Sequence, residues 1–232
     1  NGICKDRYQS FGSAGMATLI EIGAALDRFK TSNKPVIAYG DGLEQRGYYL
    51  AAHASKVYLH PEGAVLLEGL SRYRTFFKGA FDKLGVEPRL FRVGEFKSAG
   101  EPYIRTEMSP EAREADLYWM GDLWQRYLAD VARLRKLDPA KLAAEIDALD
   151  SLVKVANGDL ARMALEQGLV DELKTRDQVR AELIAAGAED PESKSFRQIG
   201  VEEYVAADGY LVDRSLATAL RETAEETGLR FE

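Results

Sequence analysis

Val36-Ile37-Ala38-Tyr39-Gly40-Asp41-Gly42-Leu43-Glu44-Gln45-Arg46-Gly47-Tyr48-Tyr49-Leu50-Ala51-Ala52-His53-Ala54-Ser55-Lys56-Val57-Tyr58-Leu59 is the stretch that decides the fold. Val36–Tyr39 and Lys56–Leu59 are short runs rich in β-branched and aromatic residues, the composition of buried strands. Between them, 48–54 has helical composition, and Gly40-Asp41-Gly42 punctuates the end of the first strand. Strand, helix, strand points to parallel neighbours joined by a helical crossover, hence an α/β sheet.

The pattern extends in both directions. Upstream, Leu19, Ile22, Leu26 and Phe29 recur at steps of three or four, giving an amphipathic helix over 14–29 that Ser32-Asn33-Lys34-Pro35 breaks. Downstream, His60-Pro61-Glu62-Gly63 closes the second strand, and Val65–Leu67 is a further apolar run. An aromatic-rich helix is expected over 73–84, and a third strand over 89–93, terminated by Gly94. From Ser109 the character becomes helical. Ser109-Pro110-Glu111 combines a capping serine, a first-turn proline and an acid beside the helix dipole. Trp119, Leu123, Tyr127, Val131 and Leu134 continue that helix to about residue 137, and further helices are expected over 139–148, 158–167 and 176–186.

The 232 residues amount to about one and a half domains of ordinary size. With 46% apolar and 30% charged residues, the chain can bury a core without disulfide staples, and its composition excludes a disordered or collagen-like chain. Thirty-eight acidic against 31 basic residues leave −7, which argues against broad electrostatic binding of nucleic acid. Cys4 stands alone and cannot close an internal disulfide. No apolar run reaches the roughly 20 residues that span a bilayer, since Glu21 interrupts even 14–26. The chain opens on Asn1-Gly2-Ile3-Cys4, without an initiator methionine or a targeting segment, and so reads as a piece of something longer.

Most catalytic constellations are missing. His53 and His60 have no third ligand nearby, so they support neither a zinc site nor a Ser-His-Asp triad, and no metal or cofactor is expected. The candidate for chemistry is Arg92-Val93-Gly94-Glu95-Phe96-Lys97-Ser98-Ala99-Gly100-Glu101-Pro102. A strand would deliver the chain to Gly94, and Lys97 follows among small residues that leave room around its amine. A lysine acts as general base only when neutral, which requires burial or neighbouring positive charge to favour the uncharged amine. An apolar strand end could supply that desolvation. Read alone, Lys97 is a solvated loop lysine, one of many.

Several blocks, in order, resemble the N-terminal half of the long-form bacterial signal peptide peptidase A (protease IV) family. They are Asn33-Lys34-Pro35-Val36, Gly47-Tyr48-Tyr49-Leu50-Ala51, Lys56-Val57-Tyr58-Leu59-His60-Pro61-Glu62-Gly63 and Phe91–Ala99, followed by Met108–Ala115 with Leu123-Trp124. Gly168-Leu169-Val170-Asp171 is similar to a turn of the protease fold shared with caseinolytic protease and crotonase. The matches span residues 11–207. The resemblance implies an α/β core over 1–108 and a helical extension of the same domain over 109–207, with a divergent tail, helical or disordered, over 208–232. It implies a membrane-associated serine endopeptidase with a Ser-Lys dyad that degrades cleaved signal peptides. Lys97 would be its general base, and Gly94 and Ser98 would shape the site. The nucleophilic serine would belong to a C-terminal half, since Gln45 stands where the serine turn would place it and an amide cannot form an acyl-enzyme. The implied partners are signal peptides, that Ser-bearing half and further copies in a homo-oligomer. The implied location is the periplasmic side of the bacterial cytoplasmic membrane.

The tail departs from the family. Arg221–Leu229 resembles the second part of a Nudix box, but Asp213 and Ala207 stand where its first part needs Glu and Gly. It reads as a charged helix ended by Gly228, with no magnesium site expected. Two other functions fit the sequence: a non-catalytic assembly domain docking through the helix that begins at Ser109, and a crotonase-type acyl-CoA enzyme. The latter needs paired backbone amides for a thioester oxyanion, and the sequence does not locate such a pair.

Overall fold

The computed structural model describes residues 15–198 and 200, apart from 92 and 95. Cys4 and the tail over 208–232, with its Nudix-like stretch, therefore lie outside the described residues. Packing divides the chain into a larger unit ending at Leu173 and a smaller one beginning at Lys174.

The larger unit is built on a parallel sheet in the order β1-β2-β3, with β1 at Ile37–Glu44, β2 at Lys56–Leu66 and β3 at Glu172–Leu173. Helix α1 (Met16–Lys30) precedes β1, and α2 (Gln45–Ala52) makes the crossover from β1 to β2, as the sequence pattern requires. The break after α1 is visible in detail: Thr31 and Ser32 hydroxyls donate to the Arg28 and Phe29 carbonyls, and Asn33 turns the chain at φ 60°.

Both strands run further than their sequence suggests. Gly40-Asp41-Gly42 does not end β1, and His60-Pro61-Glu62-Gly63 does not end β2. The register passes from Gly40↔Leu59 to Gly42↔Ala64, so the two punctuating segments face one another as a single irregularity. Gly63 permits this, because a Cβ there would lie 2.9 Å from the His60 carbonyl oxygen and closer still to that of Asp41. Val65–Leu67, read as a separate apolar run, instead supplies the end of β2 and the residue after it.

Downstream the elements are α3 (Lys78–Leu84), α4 (Glu101–Ile104), α5 (Pro110–Arg135), α6 (Pro139–Asp147), α7 (Leu149–Val155) and α8 (Leu160–Glu166). Ser109 caps α5 as expected, its hydroxyl accepting the Ala112 N–H at 3.1 Å. Two expectations are corrected. The aromatic-rich helix is helical only from Lys78, and Tyr73 and its neighbours before it form neither helix nor strand. Residues 89–93 form no strand among the described residues: a β-favouring run needs a backbone partner, and none pairs with it there.

The core centres on α2 and β2, with Tyr48, Tyr49, Leu50, Ala51, Val57, Tyr58 and Leu59 all buried. Helix α8 packs on β2, and α1 and α5 pack on α2. Three buried tyrosine hydroxyls of this layer have an acceptor: Tyr48 donates to the Leu169 carbonyl, Tyr49 to Asp130 and Tyr127 to the Gln45 carbonyl. Burial, reinforced by the Asp130 charge, pushes the Tyr49 hydroxyl up to about 12. His53 is buried against the edge of the Tyr49 ring and bonds Asp27 through Nδ1 at 3.0 Å. His60 Nδ1 merely accepts the Glu62 N–H.

The turn Gly168-Leu169-Val170-Asp171 ties the sheet to the helices. Gly168 adopts φ +75°, a left-handed conformation suited to glycine, and Leu169 and Val170 are buried. Asp171 pairs twice with Val57, its N–H donating to the Val57 carbonyl and its carboxylate accepting the Val57 N–H at 2.7 Å. Arg135, near the end of α5, donates to both carboxylate oxygens of Asp171 and to the Gly168 carbonyl. Burial alone would raise the Asp171 pKa, but the Arg135 and Val57 hydrogen bonds and the charges of Arg135 and Lys56 hold it below the ordinary value.

The smaller unit contains α9 (Arg176–Ala186) and a hairpin of β4 (Glu189–Asp190) with β5 (Ser195–Phe196). Thr175 and Gln178 form a reciprocal capping box at the start of α9.

Because the folded Asp171 pKa is depressed, its contribution to stability is present above the unfolded value of about 4 and is lost as pH falls through the folded value. Asp171→Asn should therefore cost about 1–3 kcal/mol near neutral pH. The gap from the parent chain should shrink in denaturant titrations at progressively lower pH below about 4. A pH-independent gap would contradict this account.

Candidate active site

After β2, residues 67–77 run as a strap without helix or strand. Its start is fixed by Gln45, whose side-chain oxygen accepts the N–H groups of Gly69 (2.9 Å) and Glu68 (3.3 Å). Gly69 has φ +83°, which lets two successive N–H groups converge on one oxygen. Arg72 then donates to Asp116 of α5 at 2.6 Å, and Trp119 Nε1 donates to the same oxygen at 3.2 Å. Burial opposes the Asp116 charge, but the bonds from Trp119 and Arg72 and the charges of Arg72 and Arg74 keep the carboxyl below its ordinary range. Two residues further along, Arg74 Nη1 donates to the Ser98 hydroxyl at 3.2 Å and to the Ser98 carbonyl at 3.4 Å.

The loop carrying Lys97 is closed at its base by packing. A Cβ on Gly100 would lie 2.6 Å from Leu90 Cδ2 and closer still to Cδ1, so the leucine side chain occupies the space a side chain there would need. The Ser98 N–H donates to the Phe96 carbonyl, and the Glu101 N–H to the Ser98 carbonyl, which makes a tight turn immediately after Lys97. The Phe77 N–H donates to the Pro102 carbonyl at 2.7 Å, joining the strap's end to α4. Phe77, Phe81 and Tyr103 cluster at ring separations near 6 Å and brace α3 against α4. Glu101 is buried and accepts the Ser109 N–H, which fixes α4 to the start of α5.

Of the three residues singled out by the sequence, Gly94, Lys97 and Ser98 share this loop. Gly94 has φ +104°, so backbone conformation reserves the position for glycine. A Cβ there would meet the Lys97 stem only at 3.9 Å, so crowding does not. Ser98 is half-buried and held by Arg74. Lys97 is exposed. The expectation that its own strand would desolvate it is corrected, since no strand forms there among the described residues and the neighbouring Phe91, Val93 and Phe96 are 95%, 82% and 57% exposed. The base candidate therefore lies near exposed Phe91, Val93 and Phe96 and is not buried by them.

Gln45 occupies the turn between β1 and α2, the strand-to-helix position at which the resemblance places a nucleophile in the partner half. Its amide oxygen is already engaged with the Glu68 and Gly69 N–H groups. Beside the strap, an open groove of about 330 Å³ is lined by Leu70, Arg72, Met108, Leu117, Met120 and Trp124. Among the described residues, no group of three His, Cys, Asp or Glu side chains is placed to hold a metal ion, and no helix is long and apolar enough to cross a membrane.

Arg74 and the Gln45 notch were not singled out by sequence reasoning. No local pattern in the sequence indicates that Arg74 reaches Ser98, 24 residues further along the chain.

The model of peptidase family S49 matches residues 28–188. The chain belongs to that family. Protease 4 of Salmonella typhi is 39% identical over 203 residues, covering 88% of this chain and 33% of the relative. Protease 4 of Haemophilus influenzae is 38% identical over 166 residues, covering 72% and 27%. The chloroplastic serine protease SPPA of Arabidopsis thaliana is 29% identical over 120 residues, covering 52% and 18%. The S49 chain thus spans a third or less of these relatives' lengths. The matched range includes the strap, the Lys97 loop and the Asp171 turn.

Packing at Gly100 gives a direct check of how the loop is held. Gly100→Val should displace Leu90, destabilise the chain by about 1–3 kcal/mol and speed tryptic cleavage after Lys97 severalfold. Unchanged cleavage kinetics would show that the Leu90–Gly100 contact does not set the loop.

Proposed function

We propose that this chain is the Lys-bearing half of a membrane-associated serine endopeptidase that degrades cleaved signal peptides, with Lys97 as general base. The observation that carries the reading is the presentation of Lys97: a lysine on a braced loop, exposed among exposed Phe91, Val93 and Phe96. A neutral amine needs an apolar surrounding, and this loop offers an apolar surface that a second polypeptide surface would complete. In this reading the sheet is the protease fold shared with caseinolytic protease and crotonase, with the core over 1–108, its helical extension over 109–207 and a separate tail beyond.

The nucleophile comes from a Ser-bearing half, because the strand-to-helix turn of this half holds the Gln45 amide. In the assembled site, Lys97 takes the proton of the serine hydroxyl as its oxygen attacks the scissile carbonyl. The resulting ammonium gives that proton to the departing amine as the peptide C–N bond breaks. Water then hydrolyses the ester, with the lysine again accepting and returning a proton. Gly94 supplies the backbone conformation that leads into Lys97, and Ser98 fixes the turn after it. The names of the relatives, two called Protease 4 and one a serine protease, support a proteolytic role. The assembly is a homo-oligomer on the periplasmic side of the bacterial cytoplasmic membrane. The paired amides a crotonase-type site would need are present at Glu68 and Gly69, but Gln45 fills them, which disfavours a thioester there.

An assembly role has support of its own. The first half of α5 exposes Leu117, Trp119 and Leu123, and Tyr118 is 83% exposed, whereas the second half buries Tyr127, Leu128, Val131 and Ala132. Such a face fits docking to another protein surface. Light scattering should show the chain associating, and Tyr118→Lys with Leu117→Glu should reduce that association; a parent chain that stays monomeric at high concentration counts against it.

The catalytic reading is tested by reconstitution. The chain alone should not label with a fluorophosphonate. Adding the Ser-bearing half should restore peptide cleavage, and Lys97→Ala should lower it by about 10³-fold or more. Cleavage that persists in Lys97→Ala would overturn the assignment.

A further inference from the structure

We propose that Arg74 is a positioning residue for Lys97, acting through Ser98; the inference rests on the reading of Lys97 as general base. The Lys97 loop is packed at its base through Leu90 and Gly100, while Phe91, Val93, Phe96 and Lys97 are exposed and no strand pairing forms among the described residues. A polar hold reaches this loop from the strap. Arg74 Nη1 reaches both the hydroxyl and the carbonyl of Ser98, the residue immediately after Lys97. Those two contacts constrain the side chain and the peptide plane together, so they limit how the main chain at Lys97 can turn.

A tether positions only if its own anchor is fixed, and Arg74 is carried on such a segment. Before it, Gln45 holds the Glu68 and Gly69 N–H groups and Asp116 holds Arg72; after it, the Phe77 N–H is bonded to Pro102. Arg72 and Arg74 divide the work. The first fixes the strap to α5 and the second passes that fixed position to the loop. The requirement is chemical as well as geometric, because proton transfer between the serine hydroxyl and the lysine amine needs hydrogen-bond distance, and a displacement of about 1 Å can cost roughly 100-fold in rate. Arginine suits the role, since its planar donors can serve two acceptors on one residue, whereas a lysine ammonium offers a point charge on a flexible stem.

The test uses the chain assembled with the Ser-bearing half, with rates expressed per fluorophosphonate-titrated site. Arg74→Ala should lower kcat by about 10–100-fold while KM stays within about twofold, because the proposed role is in the chemical step and not in binding. Arg74→Lys should recover part of the loss. Ser98→Ala removes the hydroxyl contact but keeps the carbonyl, so it should lose less than Arg74→Ala. The double variant should lose no more than Arg74→Ala alone, the sign of one shared pathway. A purely structural role would instead reduce the number of titratable sites and leave kcat per site unchanged, and that result would overturn the proposal. If Arg74→Ala does not fold, Arg74→Lys and Ser98→Ala decide: parent-like kcat in both overturns it. Should Lys97→Ala retain cleavage, the reading of Lys97 falls and this inference with it. Should Lys97→Ala be silent while the Arg74 variants keep full kcat, only the positioning role falls.

Discussion

The Asp171 carboxylate is the point on which the larger unit depends. One side chain accepts the first core N–H of β2 at Val57 and the guanidinium of Arg135 near the end of α5, while the Asp171 backbone returns a bond to the Val57 carbonyl. Arg135 also reaches the Gly168 carbonyl, and Tyr48 of α2 donates to the Leu169 carbonyl in the same turn. Sheet, crossover helix and long helix therefore meet at four consecutive residues. A half-buried carboxylate with two kinds of donor is satisfied only when all these elements are in place, which makes the turn a point of mutual consistency between them.

From that fixed frame the position of Lys97 follows by a series of ties. Helix α5 holds Arg72 through Asp116, α2 holds the strap through Gln45, and the strap holds the Lys97 loop through Ser98. The loop itself remains on the surface with apolar neighbours. In the proposed reading of Lys97 as a base, this chain would orient the amine and a partner surface would desolvate it.

Much of the fold was legible in order and type. The crossover from 36 to 59, the cap at Ser109 and the segment over 176–186 rest on local rules: periodicity, capping and turn chemistry act over a few residues. The departures have a common cause. Gly40-Asp41-Gly42 and His60–Gly63 read as ends because glycine and proline punctuate chains locally, yet the two segments face each other across β1 and β2 and the strands pass through. Residues 89–93 read as a strand from composition, but strand formation depends on a partner that a single segment cannot specify. The site divides in the same way. Lys97, Gly94 and Ser98 stood in one recognisable segment, whereas Arg74 lies on the separate strap and had no signal of its role.

The sequence by itself determined an α/β chain with a helical continuation and its relationship to peptidase family S49. Those properties are carried by residue order, so they can be read without coordinates. Only the tertiary structure decided that Lys97 lies exposed on a loop tied down by Arg74, and that the Gln45 amide fills the Glu68–Gly69 notch. Both are consequences of side chains from separate segments meeting in space, where hydrogen-bond reach of about 3 Å, and not distance along the chain, selects the partner.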